Sequence, residues 1–185
     1  MAGVDKMMRS LRKRFPSPPE IKAALADAHH QPDRVVAIVL PAIIEGLLQR
    51  MIEVKLENRS PELLNRLFER RGPMSDFEGK IDISLAMGWI KDYQAADLGR
   101  IRTVRNAFAH SAVDLSFDTP EIQGIIEGSS LMVGFKRLIA EDVEMAGFVL
   151  GSRSAFLSMC HVAAYSVANR HMHAHGTSLI DGLYL

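Results

Sequence analysis

The chain is short of several things, and each shortage narrows what it can be. It has one cysteine, Cys160, among 185 residues. That rules out an internal disulfide framework and fits a reducing, cytoplasmic setting. It has no net charge, with 22 basic residues against 22 acidic ones. A protein that coats nucleic acid is normally basic, so bulk electrostatics give no support to DNA or RNA binding. Aromatic residues make up only 6% of the chain. The longest apolar run, Val35 to Leu48, is interrupted by Pro41, Glu45 and Gly46 and reads as too short to cross a bilayer. The early basic residues Lys6, Arg9, Arg12, Lys13 and Arg14 lead into Pro16, Pro18 and Pro19 rather than an apolar core, which is not the pattern of a signal peptide. No phosphate-binding glycine loop, dinucleotide fingerprint, zinc-protease motif or nucleophile elbow occurs. No helix-turn-helix, zinc finger or basic reading helix is visible. There is no internal repeat and no low-complexity segment.

What remains is an ordinary globular composition, 48% apolar and 24% charged, at a length that suggests one domain burying about 70% of its unfolded surface. The patterning predicts an all-α single-domain bundle of about six to eight helices. Residues 1–16 read as a flexible basic arm and 17–185 as the domain. Ser17 and the following prolines open a helix whose apolar face is Ile21, Ala24, Leu25 and Ala28. A long helix runs from Asp33 to about Asn58. It is apolar on most sides, as a central helix is, and Pro41 should kink it near Ala37. Ser60 caps a short helix. A capping box from Ser75 to Glu78 starts another, and a short connection from Gly88 to Asp92 leads to an antiparallel neighbour that Asp92 caps. Asp114 to Phe117 is the one candidate for extended structure. Thr119-Pro120-Glu121 opens a further helix. Leu131 to Phe135 reads equally as helix or strand. Glu141 to about Asn169 reads as one long helix, weakened by Gly147 and Gly151. The helices Val35–Leu56 and Asp92–His110 are expected to be central.

Asp97 to His110 reads D-L-G-R-I-R-T-V-R-N-A-F-A-H. Residues four apart on a helix lie above one another, so Arg102, Asn106 and His110 form one polar stripe, flanked by Arg105. Burying such groups is costly unless each finds a partner. Glu45, an acid inside an apolar run, needs a cation, and Arg102 or Arg105 is the natural one. Glu45, Arg102, Arg105, Asn106 and His110 are therefore either a structural polar network or parts of a site. If Glu45 faces a groove, it becomes a candidate acid or base beside His110.

Three separated segments carry a resemblance. R-N-A-F-A-H with its preceding D-L-x-x-I-R-x-V, the upstream Gly72 to Ile90, and the downstream Asp114 to Pro120 resemble, in the same order, the mannitol operon repressor family. This resemblance covers roughly Gly72 to Pro120 and implies a bacterial transcriptional regulator. With no DNA-reading element in the chain, regulation through contact with another regulator or a polymerase-bound factor is the reading it supports, with no cofactor. A second likeness overlaps it. Arg105, Asn106 and, after four intervening residues from Arg105, His110 are similar to the R-x(4–6)-H motif of HEPN-domain ribonucleases. That likeness implies metal-independent RNA cleavage, as in a toxin, across a dimer. His110 would exchange a proton with the ribose 2′-OH or the leaving oxygen, Arg105 would hold the scissile phosphate, and Asn106 would orient one of them. A packed, hydrogen-bonded His110 favours the scaffold, and a His110 open to a basic groove favours cleavage. The apolar surplus is compatible with a homodimer.

Smaller signals carry less. Arg66, Arg70 and Arg71 form a small basic patch. His171 and His175, with His173 between them, have the spacing to share a metal ion on a helix, but no carboxylate or thiolate accompanies them, so no metal site is expected. Cys160 and His161 are adjacent on a helix, face different directions and make no nucleophile–base pair.

Overall fold

The computed structural model describes residues 15–69, 71–141 and 149–175, and the side chains at 141 and 169–175 are outside that description. The arm up to residue 14 lies outside it too, as do Arg70, the expected helical residues Val143, Gly147 and Phe148, and the imidazoles of His171, His173 and His175.

The fold is all-α. Among the described residues it comprises eight α-helices: α1 (Pro18–Asp27), α2 (Asp33–Lys55), α3 (Pro61–Phe68), α4 (Phe77–Ala86), α5 (Asp92–His110), α6 (Pro120–Glu127), α7 (Ser130–Glu141) and α8 (Ser152–His175). One 3-10 turn, Ala28–His30, joins α1 to α2.

The short helices begin where local chemistry satisfies their first amides. In α1, Glu20 accepts from the Ser17 backbone amide at 2.8 Å, and Ser60 accepts from the Leu63 amide to open α3. Two expected caps are corrected. The N-cap of α4 is Asp76, not Ser75, and Asp76 Oδ1 accepts from the Gly79 amide at 2.8 Å. A carboxylate already in extended backbone geometry takes the position one residue later. Asp92 is the first helical residue of α5 rather than its cap, and the Gln94 side chain accepts from the Lys91 amide at 2.9 Å.

Other boundaries differ from the sequence expectation for identifiable reasons. Asp114 to Phe117 forms no strand. It is a loop pinned by the Phe117 amide donating to Asp33 Oδ2 at 3.0 Å. Leu131 to Phe135 is helical, in α7, whose first turn is held by the Ser129 hydroxyl accepting from the Met132 amide and by Asp97 accepting from the Ser130 amide. The helix expected to begin at Glu141 begins instead at Ser152. Glycine is about 1 kcal/mol worse than alanine inside a helix, and Gly151 stands just outside α8, its carbonyl accepting from the Ala155 amide.

α2 and α8 form the principal pair, and α2 also packs on α5 and α4. α4 and α5 lie against each other, and α6 bridges α5 and α8. Val36, Leu40, Ile44, Leu48, Met51 and Ile52 of α2 are almost fully buried, with Ile101 and Phe108 of α5 and Phe156 of α8. A ring row crosses this core: Phe108 to Phe117 at 5.3 Å between centroids, and Phe117 to Phe156 at 4.9 Å. α2 is long and apolar enough to span a membrane by length and composition, which the interrupted apolar run alone did not suggest. More than half of that window is buried inside the bundle, as in a core helix. Pro41 is accommodated within α2, leaving the Ala37 carbonyl without its usual donor.

Candidate functional site

The polar residues of α5 separate into two groups. The first is a buried ion cluster. Lys80 of α4 is 3% exposed, and its Nζ donates to Glu45 Oε1 at 2.8 Å and to the Asp76 carbonyl at 3.3 Å. The second Glu45 oxygen accepts from Arg105 Nη2 at 3.2 Å. One carboxylate thus joins α2, α4 and α5 with two cations. Burying an ammonium costs several kcal/mol unless charge and hydrogen bonds compensate, and here both do. Ser84, also buried, donates to the Lys80 carbonyl at 2.7 Å.

The second group stands apart from that cluster. Arg102 does not reach Glu45; it pairs with Glu78 on α4, which is more than half exposed. Asn106 is half-buried and makes no side-chain hydrogen bond among the described residues. One turn further, His110 is exposed in the last turn of α5 and is likewise without a hydrogen-bond partner among them. Of the five residues that the sequence grouped together, the structure brings together Glu45 and Arg105. Arg102, Asn106 and His110 are not in that cluster. Helical spacing aligned the stripe, but it is Arg105, beside it, that reaches the Glu45 carboxylate.

A third cluster, absent from the sequence reading, stands at the start of α2. Arg34 donates to the carbonyls of Phe108 (3.0 Å), Ser111 (3.3 Å) and Val113 (2.9 Å). The last carbonyls of a helix have no internal partners, and Arg34 supplies donors there. Asp33 pairs with Arg153 of α8, which also donates to the Ala28 carbonyl at 3.0 Å and lies 5.9 Å from the Phe117 ring centre. His110 therefore sits beside a helix end already occupied by a guanidinium.

Lys80 is the residue that sequence reasoning missed. A signal was present: Lys80 falls between Phe77 and Ser84, on the side of α4 that also carries Ile81. An uncompensated cation on an apolar face and an uncompensated acid in an apolar run, Glu45, are natural partners. Asp33, Arg34 and Arg153 gave no such signal, because polar residues at helix ends are ordinary.

The chemistry of the remaining candidates is limited. Burial pushes the Cys160 thiol well above its ordinary range, so it is not a ready nucleophile. His161 Nδ1 lies 2.8 Å from the Leu157 carbonyl of its own helix. Among the described residues no group of three His, Cys, Asp or Glu side chains is placed to hold a metal ion. Comparison with protein-family models, with curated proteins and with solved structures finds no match to the chain in any of the three.

Proposed function

We propose that the chain is a non-catalytic regulator of the mannitol operon repressor kind, acting in the cytoplasm through contact with another protein. The observation that carries this reading is the commitment of its arginines. Arg105 is tied to Glu45 beside a buried lysine, and Arg102 is tied to Glu78. A phosphodiester-cleaving site needs a cation free to follow developing negative charge, and the one the motif offers is already held by a carboxylate. The segment that carries the family resemblance, Gly72 to Pro120, builds the α4–α5 pair and its cluster with α2. Met87 and Tyr93, 56% and 58% exposed, flank the turn between those helices and offer a protein-facing edge.

Metal-independent ribonuclease activity is the second reading, favoured by one observation. His110 is open to solvent, Asn106 is half-buried, and neither is tied to any described residue. The test is incubation of the purified chain with RNA under chelation, beside His110→Ala, together with a mannitol-operon reporter. The regulator reading expects no cleavage by either protein, repression of the reporter, and no retardation of promoter DNA by the chain alone. Cleavage by the wild type that disappears in a folded His110→Ala variant would replace it with the ribonuclease. Retardation of promoter DNA would make the contact direct.

A further inference from the structure

The outward side of α2 carries a strip that its neighbours leave open. Val35 and Val39 are 40% and 42% exposed, Ala42 is exposed, and Gly46 follows. At the Val35 end a groove of about 270 Å³ opens between α1 and α2, lined by Ala24, Ala28, Val35 and Val39 with Asp27 and Gln31. At the other end Phe15 is seated on the strip. A Cβ on Gly46 would stand 2.3 Å from its ring, so glycine is what admits the side chain. The Arg50 guanidinium covers the same ring at 5.6 Å from its centre.

The sequence leading to Phe15 matches this strip. Val4, Met8, Leu11 and Phe15 recur at intervals of four, three and four, and so do Val35, Val39, Ala42 and Gly46. Eleven residues separate the ends of each set, about 16 Å at helical rise. Phe15 lies against Gly46, and in a helical register set by that pair Leu11 would fall against Ala42. Lys6, Arg9 and Lys13 occupy the opposite side of the same spacing.

We propose that the α1–α2 groove is the docking site of the chain's own N-terminal segment, Val4 to Phe15. Phe15 is its observed foothold, Met8 meets Val39 and Val4 meets Val35. The docked segment turns Lys6, Arg9 and Lys13 outward and so gathers a basic edge on a chain whose formal net charge is zero. The proposal is independent of the function proposed above.

The test places Met8→Cys and Val39→Cys in the full chain and oxidises it at low concentration. The native Cys160, fully buried, does not compete. The expected product is an intrachain disulfide, seen as a faster-migrating monomer on a non-reducing gel. Its yield should be unchanged over a tenfold dilution and at least tenfold above that of Met8→Cys paired with Met87→Cys. A dilution-sensitive, disulfide-linked dimer would seat a second copy in the groove instead, and no bond in a chain that melts like wild type would leave the groove without this occupant; either overturns the proposal. A second measurement is thermal melting of Met8→Asp, Val39→Asp and the double variant. Docking predicts that the double variant melts no lower than the worse single one, because both remove one contact. Simple addition of the two shifts would count against it.

Discussion

The Glu45 cluster and the Asn106–His110 stripe draw on neighbouring residues of one helix, yet they belong to different kinds of environment. Arg105 and Asn106 are consecutive. The first is fixed by a carboxylate from α2, and the second has no side-chain partner among the described residues. A step of about 100° around the helix separates a residue tied to a carboxylate from one with no described partner. Adjacency in a sequence motif therefore does not by itself give two residues the same partners. The motif's arginine ties α5 to the carboxylate that joins three helices, and its histidine has no partner among the described residues.

That contrast can be broken by substitution. The largest effect should come from Glu45→Ala, which strands the buried Lys80 and lowers the unfolding free energy by about 3 kcal/mol in urea titrations. A loss below about 1 kcal/mol would erase the distinction between interior and surface groups. Glu45→Leu combined with Lys80→Met should recover most of that loss, since an apolar replacement of a buried ion cluster is often neutral or better. Next is Asp33→Ala, expected to cost about 2 kcal/mol because it removes the carboxylate beside Arg153 and leaves the Phe117 amide without its acceptor. Calorimetric melting with a wild-type midpoint would show that water replaces the carboxylate freely. Arg102→Ala should cost about 0.5 kcal/mol, and less as salt is raised, because its partner Glu78 is exposed; a cost insensitive to salt would place this pair with the interior cluster. Smallest is His110→Ala, expected to stay within about 0.5 kcal/mol of wild type. A large loss of stability there would turn the histidine back into a structural lock.

Most of the architecture was legible in the sequence because apolar periodicity survives into burial. In α2, read as apolar on most sides, Val36, Leu40, Ile43, Leu47 and Met51 are buried and Val54, near its end, is half-buried. The partner of that helix was harder to see. α8 is the main neighbour of α2, but its many small residues, including Ala155, Ala163 and Ala164, leave a weak apolar pattern while permitting close packing. At the polar residues, spacing revealed which groups share a face and said nothing of which helix covers it. Glu45 was recognisable as an acid needing a cation, and Arg105 was among its named candidates. Lys80 passed unnoticed because a lysine on a helix is usually solvated, and its partner lies 35 residues away in sequence.

The placement of ties along α2 has a consequence for how the chain is made. Asp33 waits for Arg153, 120 residues later, and the apolar surface of α2 waits equally long for α8. At a synthesis rate of about 5–20 residues per second, that surface leaves the ribosome roughly 6–24 seconds before its main covering exists. Nascent chains ending at Glu141 should therefore be held by chaperones or aggregate, whereas chains that include all of α8 should resist protease, so α8 decides whether α2 is protected.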